Sequence, residues 1–212
     1  MESSSAPARR PYHSPVRQRQ AAATRQRVLE TARTLFVTRG YAGTTLEAIA
    51  AAAGVSPKTV SAAFGSKRRV LAALVSPAAV GDRYQQLVGQ LRTEPEPRRR
   101  VELAARLARQ LHQALRPEFE LLRGAGALLG DVADVARQVQ ERRRQNVERL
   151  IASLATQGAL RHDRSPEEAT DEVCALTGYD LFRALVVELG WEPERYEEWL
   201  ADVLRQRLLP PG

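Results

Sequence analysis

The feature that most constrains this chain is the punctuation between residues 40 and 66, where stop and start signals come too close together for any long element. Apolar residues recur there at helical spacing. Val28, Ala32, Leu35 and Phe36 precede Gly40, Leu46, Ile49, Ala50 and Ala53 precede Gly54, and Val60 and Phe64 precede Gly65. A glycine at position 54 can take the left-handed backbone that ends one helix and turns the chain sharply into the next. Ser56 then stands as an N-cap, with Pro57 at the first helical position, where a missing N–H removes no hydrogen bond. Thr44 and Glu47 have capping-box spacing, which predicts that the preceding helix starts at Thr44. Ser66 opens a further helix containing Val70, Leu71 and Leu74. Two short helices joined by a tight turn, from Thr44 to Phe64, meet the requirement of a helix-turn-helix. The second helix of such a unit offers its N-terminal face to a DNA major groove. Here that face carries Pro57, Lys58, Ser61 and Ala62.

The charge distribution agrees with a nucleic-acid partner. Residues 1–75 hold twelve Lys and Arg against three Asp and Glu, a net of +9, whereas residues 76–212 are close to neutral at −2. A positive field confined to one third of a chain is the footprint of a nucleic-acid-binding module joined to something else. Thirty of the 32 basic residues are arginine, and the only lysines, Lys58 and Lys67, flank the candidate recognition helix. Residues 1–23, with Pro7, Pro11, Pro15 and several arginines, read as a disordered basic arm.

From residue 24 on, β-branched alternation is missing and the class is all-α. The reading assigns residues 24–75 to a helix-turn-helix DNA-binding domain, its first helix running from about Ala23 to Arg39, and residues 76–212 to a helical ligand-binding and dimerisation domain. Within the second domain the pattern predicts helices over Pro97–Leu115 and Asp131–Thr156. A further helix, opened by the Ser165–Glu168 capping box, is predicted to run to Leu189, and a last one over Glu194–Leu208. Gly178, inside the third of these, implies the close approach of another backbone. No stretch has the uncharged apolar length of a membrane helix, and the first residues lack a signal-peptide core, so a cytoplasmic location is expected. A single cysteine, Cys174, and three scattered histidines give no basis for a metal site or cofactor.

Residues Arg25–Leu71, with Ala32, Leu35, Phe36, Gly40, Tyr41, Thr44, Thr45, Ile49, Gly54, Val55, Ser56, Thr59, Phe64, Ser66, Lys67 and Leu71, resemble the DNA-binding domain of the TetR family. The resemblance implies a homodimer paired through its last two long helices. It also implies a repressor released from operator DNA when a small-molecule effector binds the C-terminal domain. It places Thr45, Ser56, Lys58, Thr59 and Lys67 at positions of DNA contact, with Lys67 as a phosphate clamp and Lys58 as a reader of base edges. Ser61 and Ala63 depart from the tyrosine and histidine common there, and Arg17, Arg19 and Arg25 of the arm could compensate in the adjacent minor groove.

Polar residues stranded on apolar helical faces are the candidates for effector contact. These are His112, Arg143, Asn146, Asp180 and Arg183, with Tyr179 and Phe182 beside them. The plainer reading is an ion pair between Asp180 and Arg183 and a hydrogen-bonded core histidine. Two rival functions compete with a ligand-responsive regulator. An architectural DNA-binding protein without effector fits the composition, but about 130 residues exceed what a dimeriser needs. An enzyme would need a nucleophile with its base, paired carboxylates or a metal, and no such pattern stands out.

Overall fold

The computed structural model describes residues 15–126 and 128–211. These form helices α1 (Pro15–Arg39), α2 (Leu46–Ala52), α3 (Pro57–Phe64), α4 (Lys67–Leu74), α5 (Asp82–Thr93), α6 (Pro97–Ala114), α7 (Arg116–Ala125), α8 (Gly130–Thr156), α9 (Pro166–Leu176), α10 (Tyr179–Phe182) and α11 (Pro193–Leu208). A 3-10 turn, Pro77–Ala79, separates α4 from α5, and a π-helical segment, Arg183–Glu188, follows α10. No strand occurs among the described residues.

The caps explain the short helices at the N-terminal end. Ser56 accepts from the Thr59 N–H, Ser66 from the Arg69 N–H, and Ser165 forms its expected box with Glu168. Gly54 has φ +64°, the left-handed turn that an L side chain would strain. Thr44 is not the cap of α2. Its neighbour Thr45 accepts from the Ala48 N–H, while the buried Thr44 hydroxyl lies against the Leu35 and Gly40 carbonyls and ties the end of α1 to the turn.

Helix α1 begins at Pro15, eight residues before the predicted start at Ala23, so residues 15–23 are helical rather than part of an arm. Pro15 opens the helix, and Gln18, Gln20 and Ala21–Ala23 are good helix formers behind it. The rest of the expected arm, residues 1–14, lies outside the described residues.

Helices α1–α4 enclose Val28, Ala32, Phe36, Ile49, Val60, Phe64, Leu71 and Leu74, all buried. This core continues into the C-terminal helices, where α6 packs on α11, α8 on α9, and α7 on α8. Two seams join the parts, α1 against α7 and α4 against α8. Helices α5 and α7 have no counterpart in the sequence reading. The helix expected to run unbroken to Leu189 stops at Thr177, and Gly178 (ψ 153°) leads extended chain into α10. A Cβ on Gly178 would lie 3.2 Å from the Arg143 guanidinium, so a side chain from α8 fills the space.

Candidate nucleic-acid interface and the buried aromatic nest

Val60 and Phe64 anchor α3 in the core, leaving Pro57, Lys58, Ser61, Ala62 and Ala63 exposed on its outer face. The Ser56 and Thr59 hydroxyls are 2.8 Å apart and hold the start of this helix as a pair. Opposite α3, the N-terminal half of α1 forms the other wall of a cleft of about 850 Å³, lined by Gln20, Thr24 and Arg27 from α1 and by Ser56, Lys58 and Ala62. Arg17 lies three residues before Gln20 on the same helical stripe, and both Arg17 and Arg19 are exposed. Arg25, also exposed, lies across the start of the cleft against α3. It donates to the Ala63 carbonyl at 2.9 Å, and its guanidinium stacks 4.1 Å from the centre of the Phe64 ring. Arg25 therefore fixes the angle of α3 against α1.

Lys67 is committed in the same way. Its ammonium donates to the Tyr41 and Thr44 carbonyls at 2.9 and 2.8 Å and sits 4.3 Å from the centre of the Tyr41 ring. In this arrangement Lys67 holds the α1–α2 turn against α4, and a role within the fold stands beside the expected one as a phosphate clamp. Lys67→Met is expected to lower stability by about 1.5 kcal/mol, because two charge-assisted hydrogen bonds are lost. In a salt titration of duplex binding the log–log slope should stay within about 0.3 of wild type, whereas losing a phosphate contact would shift it by about 0.9.

Among the described residues Tyr41 is also one of three side chains that make polar links from the N-terminal helices to the C-terminal ones. Its hydroxyl donates to Asp131 at the start of α8 (3.3 Å), and burial, reinforced by that carboxylate, pushes its pKa up to about 12. Arg68 on α4 pairs with Asp134 at 3.0 Å. Arg33 on α1 pairs through Nε with Glu118 on α7, a carboxylate only 4% exposed.

Glu118 begins a run of three residues on α7 with three different engagements. The next, Phe119, stacks on Tyr179 with ring centres 4.9 Å apart and meets His112 edge-on at 5.3 Å. The third, Glu120, accepts from the Tyr179 hydroxyl at 2.8 Å and from Arg183 at 3.0 Å. Phe182 lies 5.4 Å from His112 and meets the Tyr196 ring of α11 edge-on at 5.2 Å. His112, Phe119, Tyr179, Phe182 and Tyr196 thus make one buried aromatic nest drawn from α6, α7, α10 and α11.

Three polar atoms at this nest have no partner. These are His112 Nδ1, Tyr196 Oη and, on the flank toward α8, Arg143 Nε. The Arg143 guanidinium donates from its other end to the Cys174 carbonyl at 2.6 Å, and its charge is felt at both His112 and Tyr196. Burial first, and the Arg143 charge second, lower the His112 pKa to about 3, so the ring is neutral. Burial raises the Tyr196 pKa.

The structure thus brings His112, Arg143, Tyr179 and Phe182 together, with Arg183 joined to Tyr179 through Glu120, and leaves Asn146 and Asp180 apart. Asn146 is exposed and accepts from Arg149, one turn along its own helix. Asp180 is exposed and does not pair with Arg183, which engages Glu120 and Glu188 instead. Phe119, Tyr196, Arg33 and Glu118 were missed. Tyr196 carried a signal, since it shares a stripe with Leu200 and Leu204, but nothing in the sequence joined Arg33 to a residue 85 positions away. No cluster of metal-ligating side chains occurs among the described residues, and none of their helices is long and apolar enough to cross a membrane.

Residues 28–74 match the family model described as bacterial regulatory proteins, tetR family. No curated protein matches the chain. Solved structures do. A structure described as a SmeT–triclosan complex superimposes with a TM-score of 0.71 at 24% identity, covering 90% of this chain and 93% of that one. NalD of Pseudomonas aeruginosa, described as the secondary repressor of the MexAB-OprM multidrug efflux pump, gives 0.69 at 21% identity, with 92% and 100% covered. A transcriptional regulator from Saccharomonospora viridis in complex with choline gives 0.66 at 22% identity, with 90% and 100% covered. At these identities the likeness is one of fold.

Proposed function

We propose, for a chain whose residues 28–74 belong to the tetR family of bacterial regulatory proteins, that it is a homodimeric transcription repressor released from its operator by a small-molecule effector. The observation that carries this reading is the capped helix-turn-helix within the basic N-terminal third, with Lys58 and the small side chains of α3 free on the outer face. In a dimer, two such helices would enter successive major grooves about 34–36 Å apart. Lys58 would read base edges, with Pro57, Ser61 and Ala62 close to the groove floor and the Thr45, Ser56 and Thr59 hydroxyls near phosphates. Arg17 and Arg19 on the helical extension of α1, with Arg27 two turns further on, would add contacts beside the cleft, which a folded helix delivers in a fixed direction.

Dimerisation falls to the C-terminal helices. The expected pairing of two long helices needs amendment, because the first of them is broken into α9, α10 and the π segment. That segment holds Ala184, Leu185, Val186 and Val187 all half-buried, and Leu189 after it is 68% exposed, an apolar band suited to a second copy. The aromatic nest is the effector site of this reading. SmeT and the S. viridis regulator have each been solved with a small molecule, triclosan and choline respectively, which supports a ligand-responsive domain here. The nest reaches the DNA-binding helices through α7, since Phe119 faces the nest while the adjacent Glu118 grips Arg33 of α1. A ligand that shifted α7 would tilt α1 and α3 and change the spacing of the recognition helices, provided it bound one state more tightly. Enzymatic activity forms no part of this reading, and the cytoplasm, where the chromosome is, is its place of action.

The test is enrichment of duplexes from a random pool by the purified protein. A two-fold symmetric site with half-sites one helical turn apart is expected. Lys58→Ala should relax base preference at one or two positions per half-site, by about 1–3 kcal/mol each. Enrichment of no sequence over the pool would refute the reading.

A further inference from the structure

The nest holds an electrostatic imbalance that the fold alone does not resolve. Buried polar atoms in native proteins almost always have partners, and clustered exceptions call for a reason. Here three exceptions fall at one place, on α6, α8 and α11. His112 is 2% exposed and Tyr196 fully buried. Arg143 is half-buried, and among the described residues its guanidinium has a backbone carbonyl for company but no carboxylate in ion-pair contact. The acid whose charge reaches it, Asp180, is itself exposed to solvent. A cation held in this way lacks a counter-ion.

The surroundings define what such a counter-ion would be attached to. Phe119 and Phe182 offer flat apolar faces and edges on either side of Tyr179, their ring centres 4.9 and 6.1 Å from its own. A bare inorganic anion would lose its hydration against these rings and gain nothing from them. A cationic ligand would meet the Arg143 charge. The break at Gly178 places the guanidinium end beside non-helical chain, with α9 ending on one side and α10 starting on the other. Helix breaks and π segments of this kind recur at functional sites.

We infer that the nest takes a small aromatic carboxylate, its charge on Arg143, its oxygens also bonded by the Tyr196 hydroxyl and the His112 ring N–H, and its ring among Phe119, Tyr179 and Phe182. The inference rests on the effector reading above and gives it a chemical class. It assigns Arg143 to the ligand's charge and Tyr196 to its orientation. A carboxylate arriving there supplies an acceptor for Arg143 Nε and the Tyr196 hydroxyl, and for His112 in the tautomer that carries its proton on Nδ1.

The experiment titrates the full-length protein with benzoate, benzyl alcohol and benzyltrimethylammonium. Binding is followed by fluorescence of Trp199, whose ring lies 6.2 Å from that of Tyr196, and by melting temperature. Benzoate is expected to bind at least about tenfold more tightly than the alcohol, with the cation weakest, because a charge-assisted bidentate contact is available only to the acid. Arg143→Gln should weaken benzoate about tenfold or more and leave the alcohol within about twofold. Should Arg143→Gln fail to fold, Tyr196→Phe, which keeps the ring, is expected to weaken benzoate about fivefold while retaining a wild-type melting temperature. Preference for the alcohol or the cation would overturn the assignment and leave the effector reading standing. Benzoate binding that left operator affinity unchanged would do the reverse, keeping the acid site and refuting its role as the regulatory switch. Absence of binding by all three probes would overturn the assignment.

Discussion

Lowering the pH from 6.5 to 5 is expected to remove about 2 kcal/mol of folding stability through His112 alone, at about 1.4 kcal/mol per pH unit for one proton. In the folded protein this ring is neutral, because burial among Phe119, Tyr179 and Phe182 and the nearby Arg143 charge lower its pKa from 6.5 to about 3. The unfolded chain takes up the proton below about pH 6.5, while the folded chain holds off until about pH 3. Across that window the unfolded state binds more protons, so stability rises with pH, is complete above 6.5 and is lost progressively on acidification. Urea unfolding at pH 7.5, 6 and 5 measures the slope. His112→Leu, similar in volume and without a titrating group, should flatten the curve over this range. A wild-type slope in the variant would place the titrating group elsewhere.

The second large effect is expected at the seam between α1 and α7. In Arg33→Leu the Glu118 carboxylate, 4% exposed and with Oε2 already unpartnered, loses its counter-ion in the protein interior. Removing one member of a fully buried pair costs about 3–5 kcal/mol. Arg33 is one-third exposed, so solvent screens part of this, and about 2 kcal/mol is the expected loss. The double variant Arg33→Leu/Glu118→Leu should recover most of it, since an apolar pair leaves no stranded charge. Chemical denaturation of the three variants against wild type completes the cycle. A double variant as unstable as Arg33→Leu would mean that packing at Arg33, rather than its charge, holds the seam. The same pair joins α1 to the helix that carries Phe119, so the double variant should keep its fold while its operator affinity responds less to effector.

What was legible in the chain is what depends on neighbours in sequence. Ser56, Ser66 and Ser165 cap their helices because a serine side chain reaches the N–H three residues on, whatever the rest of the molecule does. The same local logic could not choose between Thr44 and Thr45. Either can cap α2, and the choice is made by the Leu35 and Gly40 carbonyls, which bury the first. Prolines and arginines made residues 15–23 look like an arm, yet Pro15 begins the helix rather than blocking it. Among the ligand candidates, His112, Arg143, Tyr179 and Phe182 were found as polar or aromatic interruptions of helical stripes. Asn146 interrupts its stripe equally well and points to solvent, because helical spacing does not say which face a neighbour covers. The break at Gly178 and the π segment change the register after Thr177, and with it the direction in which Asp180 and Arg183 emerge. The pairing of Arg33 with Glu118 is set by the packing of α1 on α7 and has no sequence signature.

Recognition of operator DNA through α3 and the basic stripe of α1 is what every regulatory step above depends on. The most direct measurement is the equilibrium affinity for an enriched two-fold duplex and for a scrambled one, each titrated with salt. The specific site is expected to be bound at least about a thousandfold more tightly than the scrambled duplex. A log–log salt slope steeper than about −4 is expected as well, as several neutralised phosphates require. Equal affinity for both duplexes, or a slope near zero, would contradict this mode of recognition.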